Sequence, residues 1–540
     1  MKGRVAVPTH KGNTSPMSSG LMLEQAFGTV SELIRAHAAE RPDHTALQAD
    51  QRRVSYSELD ALIDRIAVSL QRAGVGGGDV VALCAGGSIE YVAAFLAALR
   101  IGAVAAPLPL AATASDLEGM VLDSGAKLMF MDREGADKLD QLAAIRSIAR
   151  VSLDDDSRPH SLSKWVSEPG LRPTPVTIDP ESPSNIIYSS GTTGTPKGIV
   201  QPHRMRWAMI RRSLLLKYDR SSVTMIATPP YSNLTIGLLL STLLHGGAAV
   251  LLFKFDALTF LEVAAGARAT HAFLVPVQYR RMLELPTFAD FNLSSFRISI
   301  FGGAPTPPDL KAQLIERWPG ELVELFGMTE GGAICLLFVR DHLDKLHTVG
   351  RPIAGHDLRI LNEDGIEAVV GDIGEVVGRS GEMMSGYHNL PAKTREVEWY
   401  DPSGARFTRT GDIGRLDEDG FLILLDRKKD MIISGGANVY PTDLESILLK
   451  HEAVADAAVV GVPSDQWGET PVAFVVLSDN AQVDAEQIRV WANARLGKTQ
   501  RIAAVAIIDE LPRGAIGKVL KRALKEIAVS GNLVPTATPT

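Results

Sequence analysis

Cysteine is almost missing from this chain, with 2 in 540 residues, and Cys84 and Cys335 lie far apart in apolar stretches. That pair supplies neither a disulfide framework nor a cysteine metal site, and reads as buried thiols of a reducing compartment. Long apolar runs are lacking too. Leu234 to Leu244 and Ala248 to Phe253 are the longest, and Gly246 and Gly247 separate them, so no stretch approaches the ~20 residues of a membrane span. Residues 1 to 20 hold no apolar core of a signal peptide and read as a flexible tail. Positive charge is not in excess either. A net charge of −8 excludes nucleic-acid binding through a broadly basic surface, while leaving room for a local basic patch that receives phosphates. What remains, 45% hydrophobic and 22% charged, is the balance of a folded cytoplasmic enzyme, and 540 residues exceed one hydrophobic core.

Patterning divides the chain. Ser55-Tyr56-Ser57-Glu58 is a capping box before apolar residues at helical spacing, and Gly74 closes that helix. Strand Val80 to Leu83, a helix near Ile89 to Leu99, strand Val104 to Leu108, a helix and strand Lys127 to Met131 follow. This alternation predicts a parallel sheet. It resumes with strands at Asn185 to Ser189, Val223 to Thr228, Ala248 to Phe253, Ala272 to Val275, Ile298 to Phe301 and Leu322 to Leu325, with helices between. From Val349 to Leu425, Gly and Asp-Gly pairs predict hairpins of a β subdomain. A new α+β unit begins near Asp430, with a second capping box at Thr442 to Glu445. The expected fold is α/β: an N-terminal domain over 21–428 with parallel sheets, helices and a β subdomain at about 349–425, a mobile α+β C-terminal domain over 429–530, and a flexible tail over 531–540.

Tyr188-Ser189-Ser190-Gly191-Thr192-Thr193-Gly194-Thr195-Pro196-Lys197-Gly198 follows a strand and joins glycines and hydroxyls to one lysine. Backbone N–H groups and hydroxyls in such a loop can wrap phosphate oxygens, with Lys197 adding a point charge. It is not a Walker A loop, which needs Gly before the Lys and Ser or Thr after it. A ligand-free Ser/Thr/Gly turn would share the hydroxyls; Pro196-Lys197-Gly198 tips the reading to a triphosphate site. The glycines at 74 to 78 do not form the Gly-x-Gly-x-x-Gly of a dehydrogenase.

The loop resembles the signature loop of the adenylate-forming superfamily of acyl- and aryl-CoA ligases, luciferases and peptide-synthetase adenylation domains. Phe326-Gly327-Met328-Thr329-Glu330, Thr410-Gly411-Asp412, Asp426-Arg427-Lys428-Lys429-Asp430, Gly435-Gly436-Ala437-Asn438-Val439-Tyr440-Pro441 and Pro512-Arg513-Gly514-Ala515-Ile516-Gly517-Lys518 match further family segments in family order. The resemblance implies ATP and Mg2+, with CoA as cosubstrate: a carboxylate attacks the α-phosphate, pyrophosphate leaves, and a thiol then attacks the acyl-adenylate. Its partners would be a small carboxylic acid, ATP and CoA, without nucleic acid or membrane, in a monomer or homodimer.

By that resemblance, Ser189, Ser190, Gly191, Thr192, Thr193, Gly194 and Lys197 grip the phosphates, and Glu330 holds magnesium beside Thr329. Phe326, Gly327 and Met328, with Gly303, Ala304 and Pro305, border adenine. Asp412 and Arg427 take the ribose. Lys518 is the expected adenylation lysine, with Thr193, Glu330 and Lys197 in the catalytic set. Lys429 is the hinge about which the small domain rotates, bringing Gly435 and Gly436 to a CoA tunnel. The acid pocket falls to Tyr231, Ser232, Asn233, Ile236, Val277, Tyr279, Phe301, Gly302, Met328, Gly331 and Gly332. Ser232 or Asn233 stands where the family usually has His. The text most resembles the benzoate and hydroxycinnamate branch, ferulate included. A medium- or long-chain fatty acyl-CoA synthetase and a stand-alone enzyme loading a carrier protein are the alternatives.

Overall fold

The computed structural model describes residues 17–158, 160–189, 196–252, 254–435, 437–464, 467–478, 481–497, 500–514, 518–531 and 533. Two large sheets dominate the body. In one of seven strands, Val80–Cys84 lies between Val104–Pro107 and Ala126–Met131, all parallel; Pro183–Ser189 extends it beside Val104–Pro107. The other has nine strands, with Val223–Ile226, His271–Leu274, Ile298–Gly302 and Glu321–Phe326 parallel in that spatial order. These strands are buried on both faces, which accounts for their continuous apolar text.

Three helices fill the space between the sheets: Tyr56–Arg72, Ile89–Arg100 and Asn233–Leu244. The first starts at the expected capping box, with Ser55 and Glu58 making both reciprocal bonds, a cap worth about 1 kcal/mol. Ile89–Arg100 is apolar nearly all round and buried along its length, as a helix enclosed by packing must be. Its two charges sit at the ends: Glu90 pairs with Arg52, and Arg100 closes the helix against Asp60 and Asp64 at 2.5 and 2.8 Å. No helix among the described residues is long and apolar enough to cross a membrane.

The hairpin-rich text forms a five-stranded sheet built on Arg406–Leu416, which pairs with Gly374–Arg379, Glu398–Tyr400 and Leu422–Arg427. Beyond it, another five-stranded sheet runs from Ile432–Ser434 to Ala504–Ile507. Helices Pro441–Leu448 and Ala485–Asn493 cover one face of that sheet and Lys521–Ser530 the other. The architecture is the expected α/β fold with a small C-terminal α+β unit.

The structure also differs locally from what the sequence announces. Thr442 to Glu445 is not a capping box: the helix starts at Pro441 without a side-chain cap. Thr442 instead donates its N–H and hydroxyl to Asp426, both at 3.0 Å, and Glu445 accepts from Val459 N–H and pairs with Lys521. Tertiary partners outbid the local cap. The end of the expected tail over 1–20 is ordered from Ser19, the buried first residue of helix Ser19–Glu24, which donates twice to Glu40; residues 1–16 lie outside the described residues. A strand that the sequence pattern does not announce, Lys197–Pro202, lies antiparallel to Pro183–Ser189 between the phosphate loop and helix His203–Arg212.

Candidate functional site

That strand makes the Ser/Thr/Gly loop the tip of a hairpin. Ser189 lies opposite Lys197, so the flanks of the loop are pinned by sheet hydrogen bonds. Ser190, Gly191, Thr192, Thr193 and Gly194, the expected phosphate contacts, lie outside the described residues. Gly198 is required by close approach: a Cβ there would sit 2.8 Å from Ile186 and 3.2 Å from His388.

Lys197 faces Tyr387, its Nζ 5.2 Å from the ring centroid, a cation–π distance. Gly386–Tyr387 pairs with the Lys197–Pro202 strand, and the Tyr387 hydroxyl donates to Glu330 Oε1 at 2.9 Å. Burial, reinforced by Glu330, pushes the Tyr387 phenol pKa up, so it stays a donor. Sequence reading missed Tyr387, because only the pairing of its strand with the hairpin brings it beside Lys197 and Glu330.

Glu330 ends the segment that leaves strand Glu321–Phe326. Gly302 is level with Leu325 across the neighbouring strand, so Gly303, Ala304 and Pro305 emerge beside Phe326, Gly327 and Met328. Phe326 also rests on the β-subdomain core. The carbonyl of Thr329 accepts from Gln201 Nε2 at 2.7 Å. Gly331 and Gly332, expected in the acid pocket, serve backbone packing. Gly331 has φ +81°, and a Cβ there would overlap the Glu382 carbonyl at 1.8 Å.

Asp412 lies across the strand pair from Arg427, with Arg427 Nε 3.2 Å from its Oδ1. Burial raises the Asp412 pKa, while Arg427 and then Lys518 oppose the rise. Lys518 enters from the small domain. Its surface is open to solvent, yet the walls of the cleft crowd it, and desolvation followed by Arg427 lowers its pKa against the pull of Asp412 and Glu330. No described side chain hydrogen-bonds its ammonium, unlike Lys428, paired with Glu375 at 3.0 Å, or Lys521, paired with Glu445 at 2.9 Å. The structure thus brings Lys518, Asp412, Arg427 and Glu330 into one electrostatic cluster, with Lys197 attached through Tyr387. Burial lowers the pKa of Lys429 at the expected hinge.

The acid-pocket residues divide. Tyr279 and Phe301 are fully buried in the core, where the Tyr279 ring meets those of Phe301 and Trp318 and its hydroxyl donates to the Ile300 carbonyl. Gly302 lets strands close, since a Cβ would meet the Leu325 carbonyl at 2.3 Å. Ser232 caps helix Asn233–Leu244, and Asn233 Oδ1 accepts from Arg206 and Gln201. Both replacements for the family His are therefore engaged in structure. Tyr231, Val277 and Met328 are half-buried. Ile236 lines a narrow apolar crevice with Tyr91, Phe95, Thr228 and Leu239. Gly435 has φ +59° and its N–H donates to the Trp467 carbonyl, and a Cβ would meet that indole at 2.8 Å. Gly436 lies outside the described residues.

The chain matches the AMP-binding enzyme family over residues 34–388 and the AMP-binding enzyme C-terminal domain over 443–518. It belongs to the adenylate-forming AMP-binding enzymes. Among its relatives, a feruloyl-CoA synthase from Amycolatopsis sp is 32% identical over 89% of this chain and 95% of its own length. A long-chain-fatty-acid–CoA ligase, FadD13 of Mycobacterium tuberculosis, is 31% identical over 94% of this chain and 98% of its own length. The ATP-bound structure of MatB from Rhodopseudomonas palustris superposes with a TM-score of 0.82 at 29% identity, covering 92% of this chain and 99% of that one. The AMP-binding family match spans the hairpin, Glu330 and Tyr387, while the C-terminal match ends at Lys518.

Proposed function

We propose that this adenylate-forming enzyme converts an aromatic acid of the benzoate or hydroxycinnamate type, such as ferulate, into its CoA thioester, with release of pyrophosphate and then AMP. The observation that carries the reading is the ammonium of Lys518, which no described side chain hydrogen-bonds, in the field of Asp412 and Glu330, a cation suited to two anionic reactants. Asp412 and Arg427 offer acceptor and donor to the ribose, and the segments 303–305 and 326–328, leaving neighbouring strands, border the adenine. Lys197 and the hairpin hold the β- and γ-phosphates. Lys518 orients the carboxylate and offsets negative charge as it builds on the α-phosphate.

Magnesium fits this donor set. Among the described residues no group of three or more His, Cys, Asp and Glu side chains could hold an ion. Glu330, oriented by Tyr387, would be the protein ligand, with phosphate oxygens and water completing the shell, as magnesium prefers. When bound it screens the phosphates and eases departure of pyrophosphate. For the thiol step the small domain turns about Lys429, releasing Asp426 from Thr442 and withdrawing Lys518 while Gly435 and Gly436 approach the adenylate.

The apolar crevice beside Ile236 favours a second reading, a fatty acid, in keeping with the mycobacterial relative. CoA-dependent AMP release across benzoates, cinnamates and fatty acids separates them. Greater kcat/KM for aromatic acids is the expected result; a maximum at a medium or long alkyl chain would replace the first reading with the second. Phosphopantetheinylated carrier protein as the only competent thiol would replace CoA as acceptor.

A further inference from the structure

Arg206 is 2% exposed and sits in the first turn of helix His203–Arg212, yet it has no carboxylate partner among the described residues. Its Nε donates to Asn185 Oδ1 at 2.8 Å, one terminal nitrogen to Asn233 Oδ1 at 2.8 Å, and the other to Gln201 Oε1. Glu382, whose charge favours the guanidinium, is committed to Arg212 at 2.7 Å. Burial lowers the Arg206 pKa to about 9, so the side chain is charged at neutral pH. A buried cation held by neutral acceptors, here three amide oxygens and the Met209 sulfur, is costly, and apolar residues of similar volume would satisfy the packing. The network therefore calls for a role other than stability.

Its outward connections show where that role lies. Asn233 is the first residue of the helix that follows Tyr231 and Ser232. Gln201 Nε2 donates both to Asn233 Oδ1 at 3.2 Å and to the Thr329 carbonyl at 2.7 Å. Asn185 closes the loop by donating to Gln201 Oε1 at 2.9 Å. One guanidinium thus ties the two strands of the phosphate hairpin, the start of the acid-pocket helix and the backbone beside Glu330.

We propose that Arg206 is a positioning residue that, through Asn233 and Gln201, fixes the acid-pocket helix relative to Thr329 and Glu330, so that the bound carboxylate lies in line with the α-phosphate. This rests on the adenylation reading above. It acts on the first half-reaction, where in-line alignment matters, and not on thiol attack. Loss of alignment of about 1 Å can cost on the order of 100-fold.

The test measures acid-dependent pyrophosphate release and, separately, CoA attack on supplied acyl-adenylate in Gln201→Leu, Asn233→Leu, the double variant and Arg206→Lys. Asn233→Asp, which keeps the shared acceptor, is the control for folding. Expected are a fall of about 10- to 100-fold in kcat for pyrophosphate release by each Leu variant, little change in the KM for the acid, and an unchanged second half-reaction. The double variant should be no worse than the poorer single one, because both residues belong to one chain of contacts. Arg206→Lys should fall with them, since one ammonium cannot reach three acceptors in the fork geometry. Single variants within about twofold of wild type, or equal losses in both half-reactions with Asn233→Asp also impaired, would overturn the proposal. A wild-type enzyme releasing no pyrophosphate with any acid would instead remove the adenylation reading beneath it.

Discussion

The body and the small C-terminal domain treat charge differently. In the body, buried charges are held by fixed partners: Lys311 pairs with Glu324 inside the core and donates to the Leu346 and Thr348 carbonyls at 2.7 and 2.9 Å, Arg100 is held by two aspartates, and Arg206 by neutral side-chain acceptors. In the small domain the two core clusters are apolar, and its contribution to the site is Lys518, which no described side chain binds. The contrast teaches a division of labour. Matched charge makes one wall rigid, and the unmatched ammonium of the other is free to meet substrate anions and then leave.

The sharpest break of that contrast is to remove the unmatched charge. Lys518→Ala should lower acid-dependent pyrophosphate release about 100- to 1000-fold while CoA attack on supplied acyl-adenylate persists; loss of both steps would remove the assignment. Removing a matched charge should act on stability instead. Lys311→Met leaves Glu324 buried, where desolvation already raises its pKa, and should cost about 3–5 kcal/mol in urea unfolding. Lys521→Met, which breaks the partly exposed pair with Glu445 in the small domain, should cost about 1 kcal/mol. Equal costs would contradict the contrast.

Acid should separate the two units. Burial pushes His203, His245 and His271 of the body down to about 4 each. They are neutral when folded and take protons when unfolded, so the stability they contribute is full above about pH 6.5 and drains away as pH falls toward 4. Hydrogen exchange at pH 5 should show the body strands weakened before those of Val454–Ser464. The lowered Lys518 pKa acts at the other end of the scale, moving the alkaline limb of the adenylation step below that of an ordinary lysine. The smallest effect belongs to Tyr387→Phe, which frees one oxygen of Glu330 and should raise the magnesium requirement about 2- to 10-fold; unchanged dependence would detach Glu330 from the metal.

Much of this was legible in the sequence because period and punctuation are local. The Ser55 capping box, the apolar strands and the Asp-Gly hairpins all rest on neighbours along the chain. Motif order also located Lys518, Asp412, Arg427 and Glu330, which the structure brings together. What escaped depends on distant partners. Lys197–Pro202 is a strand because Pro183–Ser189 and Tyr387 flank it. Nothing near Asn233 in sequence reveals that Arg206 and Gln201 claim its oxygen. Apolar side chains lining a pocket and filling a core read alike in sequence, and only the fold reveals that Tyr279 packs edge-on against Trp318.

The central claim is that these two walls together build an acyl-adenylate. Incubation of the wild-type enzyme with an aromatic acid and magnesium ATP, without CoA, followed by quench and mass spectrometry, measures this directly. The account predicts an enzyme-bound acyl-AMP in step with pyrophosphate, discharged to the thioester and AMP when CoA is added. Formation of ADP and phosphate, or release of pyrophosphate at the same rate without acid, would contradict it.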